Sequence, residues 1–153
     1  MLFRSRVVVR MLARGAQPGR AVVAGQGLSK VSGPQGGGAT QRALTAAIDG
    51  VALDPGSPDA QMAHWIGVLG ADPQALQHLL DSLVPTPEEG LRRITIPALV
   101  VIGDRDERSD ADELAALLPA GRYLRVPGGH GDAFAAPEFA AAITAFLTED
   151  RAP

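Results

Sequence analysis

The segment Ile94-Thr-Ile-Pro-Ala-Leu-Val-Val-Ile-Gly-Asp-Arg-Asp106 sets the architecture. Pro97 to Ile102 is an unbroken apolar run that stops at Gly103-Asp104-Arg105-Asp106. A run of this kind, bounded by turn residues, suits a parallel strand covered on both faces. Downstream, Ser109 with Asp112 reads as a capping-box-like helix start. That helix carries Ala111, Leu114, Leu117 and Leu118 and stops before Pro119. Tyr123, Leu124 and Val126 mark the next strand, and Pro127-Gly128-Gly129-His130-Gly131 a loop. Pro137 opens a last helix with Phe139, Ile143, Phe146 and Leu147 on its expected core stripe. Strands alternating with helices imply an α/β fold, a parallel sheet flanked by helices.

Upstream, Arg20 to Ala24 is a short apolar strand that runs into Gly25-Gln26-Gly27. Before it, Val7, Val8, Met11 and Leu12 recur at helical spacing, and Gly15 ends that helix. Residues 28–40 contain Ser32-Gly33-Pro34 and Gly36-Gly37-Gly38, a composition that opposes helix and predicts a loop. A helical pattern covers Arg42 to Leu53. Two more helices are expected within 59–84, the first with Met62, Trp65, Ile66 and Leu69. The second starts at Asp72-Pro73, with Asp as N-cap, and carries Leu76, Leu79, Leu80 and Leu83. Pro85-Thr86-Pro87 ends it, and Glu88 to Arg93 forms a helical turn.

The chain has 153 residues, enough for one domain with a core, and 46% are apolar against 20% charged. Its net charge of −3 disfavours nucleic acid as a partner. Lys30 is the sole lysine, and with no cysteine there are neither disulfides nor thiolate metal sites. No apolar run is long enough to span a bilayer, so a membrane location is not expected. The basic start, Met1 to Arg14, reads as a surface helix or a transit segment; the helix is preferred, with a cytoplasmic location.

Ligands of open parallel sheets meet the carboxyl ends of the strands. Three loops lie there: Gly25–Ser29, Gly103–Asp106 and Gly128–Gly131. An aspartate and a histidine on adjacent strand ends can form an orienting pair, in which the carboxylate fixes the imidazole tautomer and stabilises its protonated form. Taken singly, such an aspartate is a turn residue and such a histidine a solvated one.

Residues 94–106, Leu114 to Pro119, Val126-Pro-Gly-Gly-His130, Pro137-Glu138-Phe139 and Phe146-Leu147 together resemble the last two strands and helices of the α/β-hydrolase family. The resemblance implies that Asp106, rather than Asp104, is the catalytic acid and His130 the catalytic base. It implies a hydrolase of an ester-like or other small acyl substrate, with no cofactor and no metal. Arg20 to Ser29 resembles the family's nucleophile strand and elbow, where the pattern is G-x-S-x-G. Aligned on Gly25-Gln26-Gly27-Leu28-Ser29, Gly27 stands where the serine belongs, and Ser29 is a weak substitute. In a serine protease, loss of the serine costs on the order of a million-fold in turnover. Gln26, Leu28 and Trp65 are the expected substrate contacts.

By this reading the chain is a single partial domain. Residues 1–29 hold the first helix, strand and elbow, 30–41 a glycine-rich loop, 42–93 a helical lid, and 94–153 the last two strand–helix units. The N-terminal half of the fold is expected to lie outside this sequence. A non-catalytic binding protein of the same fold and an inactive fragment are the alternatives.

Other signals are weaker. A dinucleotide fingerprint at Gly25-Gln26-Gly27 lacks its third glycine, since Lys30 stands there. Gly36-Gly37-Gly38 has no following Gly-Lys-Ser/Thr. Asp104, Asp106, Asp110 and Asp112 do not match a calcium loop. His64 and His78 read as surface residues without metal spacing.

Overall fold

The computed structural model describes residues 4–33, 38–108 and 110–149. It divides into two compact units, residues 1–33 with 86–153, and residues 34–85.

The first unit is built on three parallel strands, β1 (Ala21–Ala24), β2 (Ala98–Gly103) and β3 (Gly121–Val126), in the order β1-β2-β3. Ala21 pairs with Ala98, and Ala98 with Gly121. All of β2 is buried, as expected for a central parallel strand. Its side chains alternate between two layers. Ala98, Val100 and Ile102 join Ala21, Val23 and residues of α1 (Arg4–Ala13) and α7 (Ala111–Leu117) in one cluster. Leu99 and Val101 join Val126, Ala133 and Phe146 of α8 (Pro137–Thr148) in the other. The result is a sheet with helices on both faces.

Helix α1 meets the sheet through a different stripe from the one expected. Val9 and Leu12 are buried, Val8 packs beside them, and Val7 and Met11 face solvent. Ser5, Val9 and Leu12 stand at i, i+4 and i+7, one helix face. The Ser5 hydroxyl donates to the Ala24 carbonyl (2.9 Å) and accepts from the Ala24 N–H (3.0 Å). It thereby satisfies both backbone groups of the last β1 residue, which point away from β2.

Residues 28–32 are not loop but a short helix, α2 (Leu28–Ser32). The helix breakers begin only at Gly33, and Leu28 and Val31 pack against the sheet cluster. Of the stretch expected to be a glycine-rich loop, residues 34–37 lie outside the described residues, as does the capping residue Ser109. Helix α8 buries Phe146, with Phe139 packed on the same cluster, but leaves Leu147 exposed.

The second unit holds α3 (Ala39–Asp49), α4 (Pro58–Val68) and α5 (Pro73–Ser82). Gly50, left-handed at φ 67°, ends α3 before the expected Leu53. Asp72 caps α5 as expected, accepting from the N–H groups of Gln74 and Ala75. The core is small: Ala43, Leu44 and Ile66, with Met62, Leu76 and Leu80 against it. Helix α6 (Glu88–Arg92), placed with the lid in the sequence reading, belongs to the first unit, where Leu91 is fully buried in the sheet cluster.

Candidate active site

The three carboxyl strand ends come together because parallel pairing continues one step past each strand. The Gly25 N–H donates to the Val101 carbonyl (2.9 Å), and the Asp104 N–H to that of Val126 (2.8 Å). The loops after β2 and β3 are then tied to each other. The Arg105 N–H donates to the Gly128 carbonyl (3.0 Å), and Asp104 Oδ1 accepts from the Gly128 N–H (2.9 Å). Asp104 is thus a structural brace, and Asp106 is the carboxylate presented to the histidine.

His130 Nδ1 lies 2.9 Å from Asp106 Oδ2. The Asp106 side chain is 1% exposed and that of His130 45%. The other carboxylate oxygen, Oδ1, accepts from the Arg108 N–H (3.1 Å) and from Arg108 Nη1 (3.2 Å). Burial pushes the Asp106 carboxyl up. The Arg108 N–H, the His130 ring and the two nearby positive charges more than offset this, and hold it below the usual carboxylate range. Asp106 is therefore an anion at neutral pH. Facing that anion, Nδ1 is assigned the ring proton, which leaves Nε2 as the acceptor.

The turn after β1 differs from the expected elbow. Gly25, not Gly27, stands at its tip and faces the histidine. Gly25 is left-handed, with φ 61°. A Cβ placed on it would lie 3.1 Å from His130 Cε1 and 3.3 Å from Nδ1. Gly27 is instead the extended residue preceding α2, φ −109°, and a Cβ there would run into the Asp110 carboxylate. Asp110 Oδ2 accepts from the Ser29 N–H (2.6 Å), and its carbonyl accepts from the Leu28 N–H (3.1 Å). Asp110 thus ties the turn to the acid loop and offers no side-chain cap to α7, the helix it precedes.

Ser29 is exposed and engaged through its backbone, and the Ser32 hydroxyl donates to the Leu28 carbonyl within α2. Leu28 is partly buried against the sheet cluster, and Gln26 is half-buried in the turn. Trp65, 40% exposed, lies on α4 of the second unit. A depression lined by Gly19, Arg20, Leu147 and Glu149 opens at the amino end of β1, away from His130. Among the described residues no three His, Asp or Glu side chains are grouped to hold a metal, and no helix is long and apolar enough to cross a membrane.

Sequence reasoning missed Gly25, Arg108 and Asp110. Gly25 could have been found by counting from the strand end, since the elbow residue follows its strand directly. Aligned so, Val23-Ala24-Gly25-Gln26-Gly27 overlies G-x-S-x-G and retains its last glycine. Nothing in the sequence marks Arg108.

No protein-family model and no curated protein sequence matches the chain. Solved structures do. An enol-lactonase from Burkholderia xenovorans LB400 superposes with a TM-score of 0.64 at 20% identity, over 95% of this chain and 62% of that one. A bromoperoxidase from Bacillus anthracis gives 0.63 at 20%, over 93% and 63%. An α/β hydrolase from Sphaerobacter thermophilus DSM 20745 gives 0.61 at 20%, over 94% and 64%. The chain spans less than two thirds of the length of each. Parallel strand order, helices on both faces and these superpositions agree: over the part it shares with these structures, the chain has the α/β-hydrolase fold.

Proposed function

We propose that the chain is a hydrolase of a small ester-like acyl substrate, with His130 as general base on a water molecule and Asp106 as its orienting anion. The observation that carries this reading is the 2.9 Å contact between the half-exposed ring and the buried carboxylate. Nε2 takes a proton from water as the water oxygen attacks the acyl carbon. The tetrahedral intermediate expels the alcohol oxygen, which receives that proton back from the imidazolium, while Asp106 stays ionised throughout. Gly25 occupies the nucleophile position and has no side chain, so the reaction is a single displacement without an acyl-enzyme. An enol-lactonase among the structural neighbours fits the substrate class.

The test is hydrolysis of a small chromogenic ester by the chain and by His130→Ala. Loss of about 100- to 10,000-fold is expected, the usual range for a general base. Equal rates for the two proteins would sink the reading. A second reading, a binding protein of the same fold, is favoured by Gly25 itself. It predicts an inert chain in which Gly25→Ser, and not Gly27→Ser, creates activity.

A further inference from the structure

We infer that Arg108 is a positioning residue for the Asp106–His130 pair, holding the carboxylate in place and sharing its charge with the imidazole. Its catalytic meaning rests on the reading above; its geometry does not.

The two oxygens of Asp106 are divided between two partners. Oδ1 takes both the backbone N–H and Nη1 of Arg108, while Oδ2 is left to His130. Arginine usually grips a carboxylate through both oxygens. Here it takes one, which fixes the carboxylate plane and directs the other oxygen at Nδ1. Among the described residues Asp106 is the only ion-pair partner of Arg108, and Arg108 Nε is buried without a hydrogen-bond partner. Among the described residues the guanidinium thus pairs with Asp106 alone. Its Cβ also lies 3.5 Å from where a Gly27 Cβ would stand, so the residue packs against the turn that carries Gly25. This is unlike the Arg105–Asp132 pair nearby, in which both side chains are about two-thirds exposed and worth little.

Other charges around His130 are already engaged. Asp104 accepts from the Gly128 N–H and Asp132 from the Gly129 N–H, with Arg105 beside both. In the loop after β2, Asp110 is committed to the Ser29 N–H from the segment after β1. Among the described residues, Arg108 is the one cation besides His130 that contacts the Asp106 carboxylate. A cation there shares the negative charge of the carboxylate that faces the imidazole, so the two positive partners of Asp106 are coupled through it.

The experiment reads the ring rather than turnover: nitrogen NMR titration of His130 in the full chain, assigned by the signal missing from His130→Gln. In Arg108→Gln the midpoint is expected to rise, because the cation that offsets the Asp106 carboxylate is lost. Arg108→Lys, which restores the cation, is expected to return it to the starting value. A midpoint unmoved in Arg108→Gln, or left raised in Arg108→Lys, overturns the inference. Loss of the fold in both Arg108→Gln and Arg108→Met would assign Arg108 to folding alone and overturn it too. An inert chain that shows the shift would refute the hydrolase reading and keep the positioning role.

Discussion

The loops after β2 and β3 and the turn after β1 meet at the same edge of one sheet, yet they are built by different means. The first two present side chains: Asp106 and His130 are joined by a hydrogen bond and braced by Asp104 and Arg108. The third presents backbone: Gly25 in a left-handed conformation, with the His130 ring against it. The difference shows that the Asp106–His130 pair can be held in place with no side chain on the turn residue that faces it. Its scaffold is the sheet and the loop-to-loop bonds, not the residue at the elbow.

The largest effect that would sharpen this contrast is expected at Asp106. Asp106→Ala removes a buried anion with three hydrogen bonds and leaves Arg108 uncompensated, so a loss of about 2–4 kcal/mol is expected in urea unfolding. The effect has a pH signature. The Asp106 carboxyl is held below its ordinary value, so its stabilisation is present above the unfolded-state value of about 4 and is lost as pH falls through the lower folded value. The gap between wild type and Asp106→Asn should therefore narrow when unfolding is measured at about pH 3 rather than about pH 7. A gap that widens on acidification would break the assignment.

Next comes Gly25→Ala. A left-handed alanine costs on the order of 1–2 kcal/mol, and its methyl presses on the His130 ring. Thermal unfolding should show the loss, and the His130 ring resonances should move. Gly27→Ala, by contrast, displaces Asp110 from Ser29 and should leave those resonances in place. If the two variants behaved alike, Gly25 would lose its special place at the tip of the turn. The smallest effect is expected at Ser5→Ala, about 1 kcal/mol for a hydroxyl that serves both backbone groups of Ala24. Hydrogen exchange at the Ala24 amide reads it directly.

The pair Asp106 and His130 was legible because their residue types, at the ends of two apolar runs, already limit what they can do. Gly25 was not read as the elbow residue, because a glycine in a sequence does not announce its φ angle. Two glycines two positions apart allow two alignments with the elbow pattern, and only the one on Gly27 was made from the sequence. Arg108 was not legible either. An arginine two residues after an aspartate is ordinary on a charged loop, and only the burial of Asp106 turns it into a dedicated partner.

By itself, the sequence determined the alternation of strands and helices and the chemical groups at two strand ends. Both depend on local pattern: apolar runs bounded by turn residues, and side chains whose chemistry travels with their identity. Only the tertiary structure decided which glycine faces the histidine, which face of α1 covers the sheet and which cation holds the acid. These depend on strand pairing and on contacts between residues distant in the chain, where a shift of one or two positions exchanges one neighbour for another.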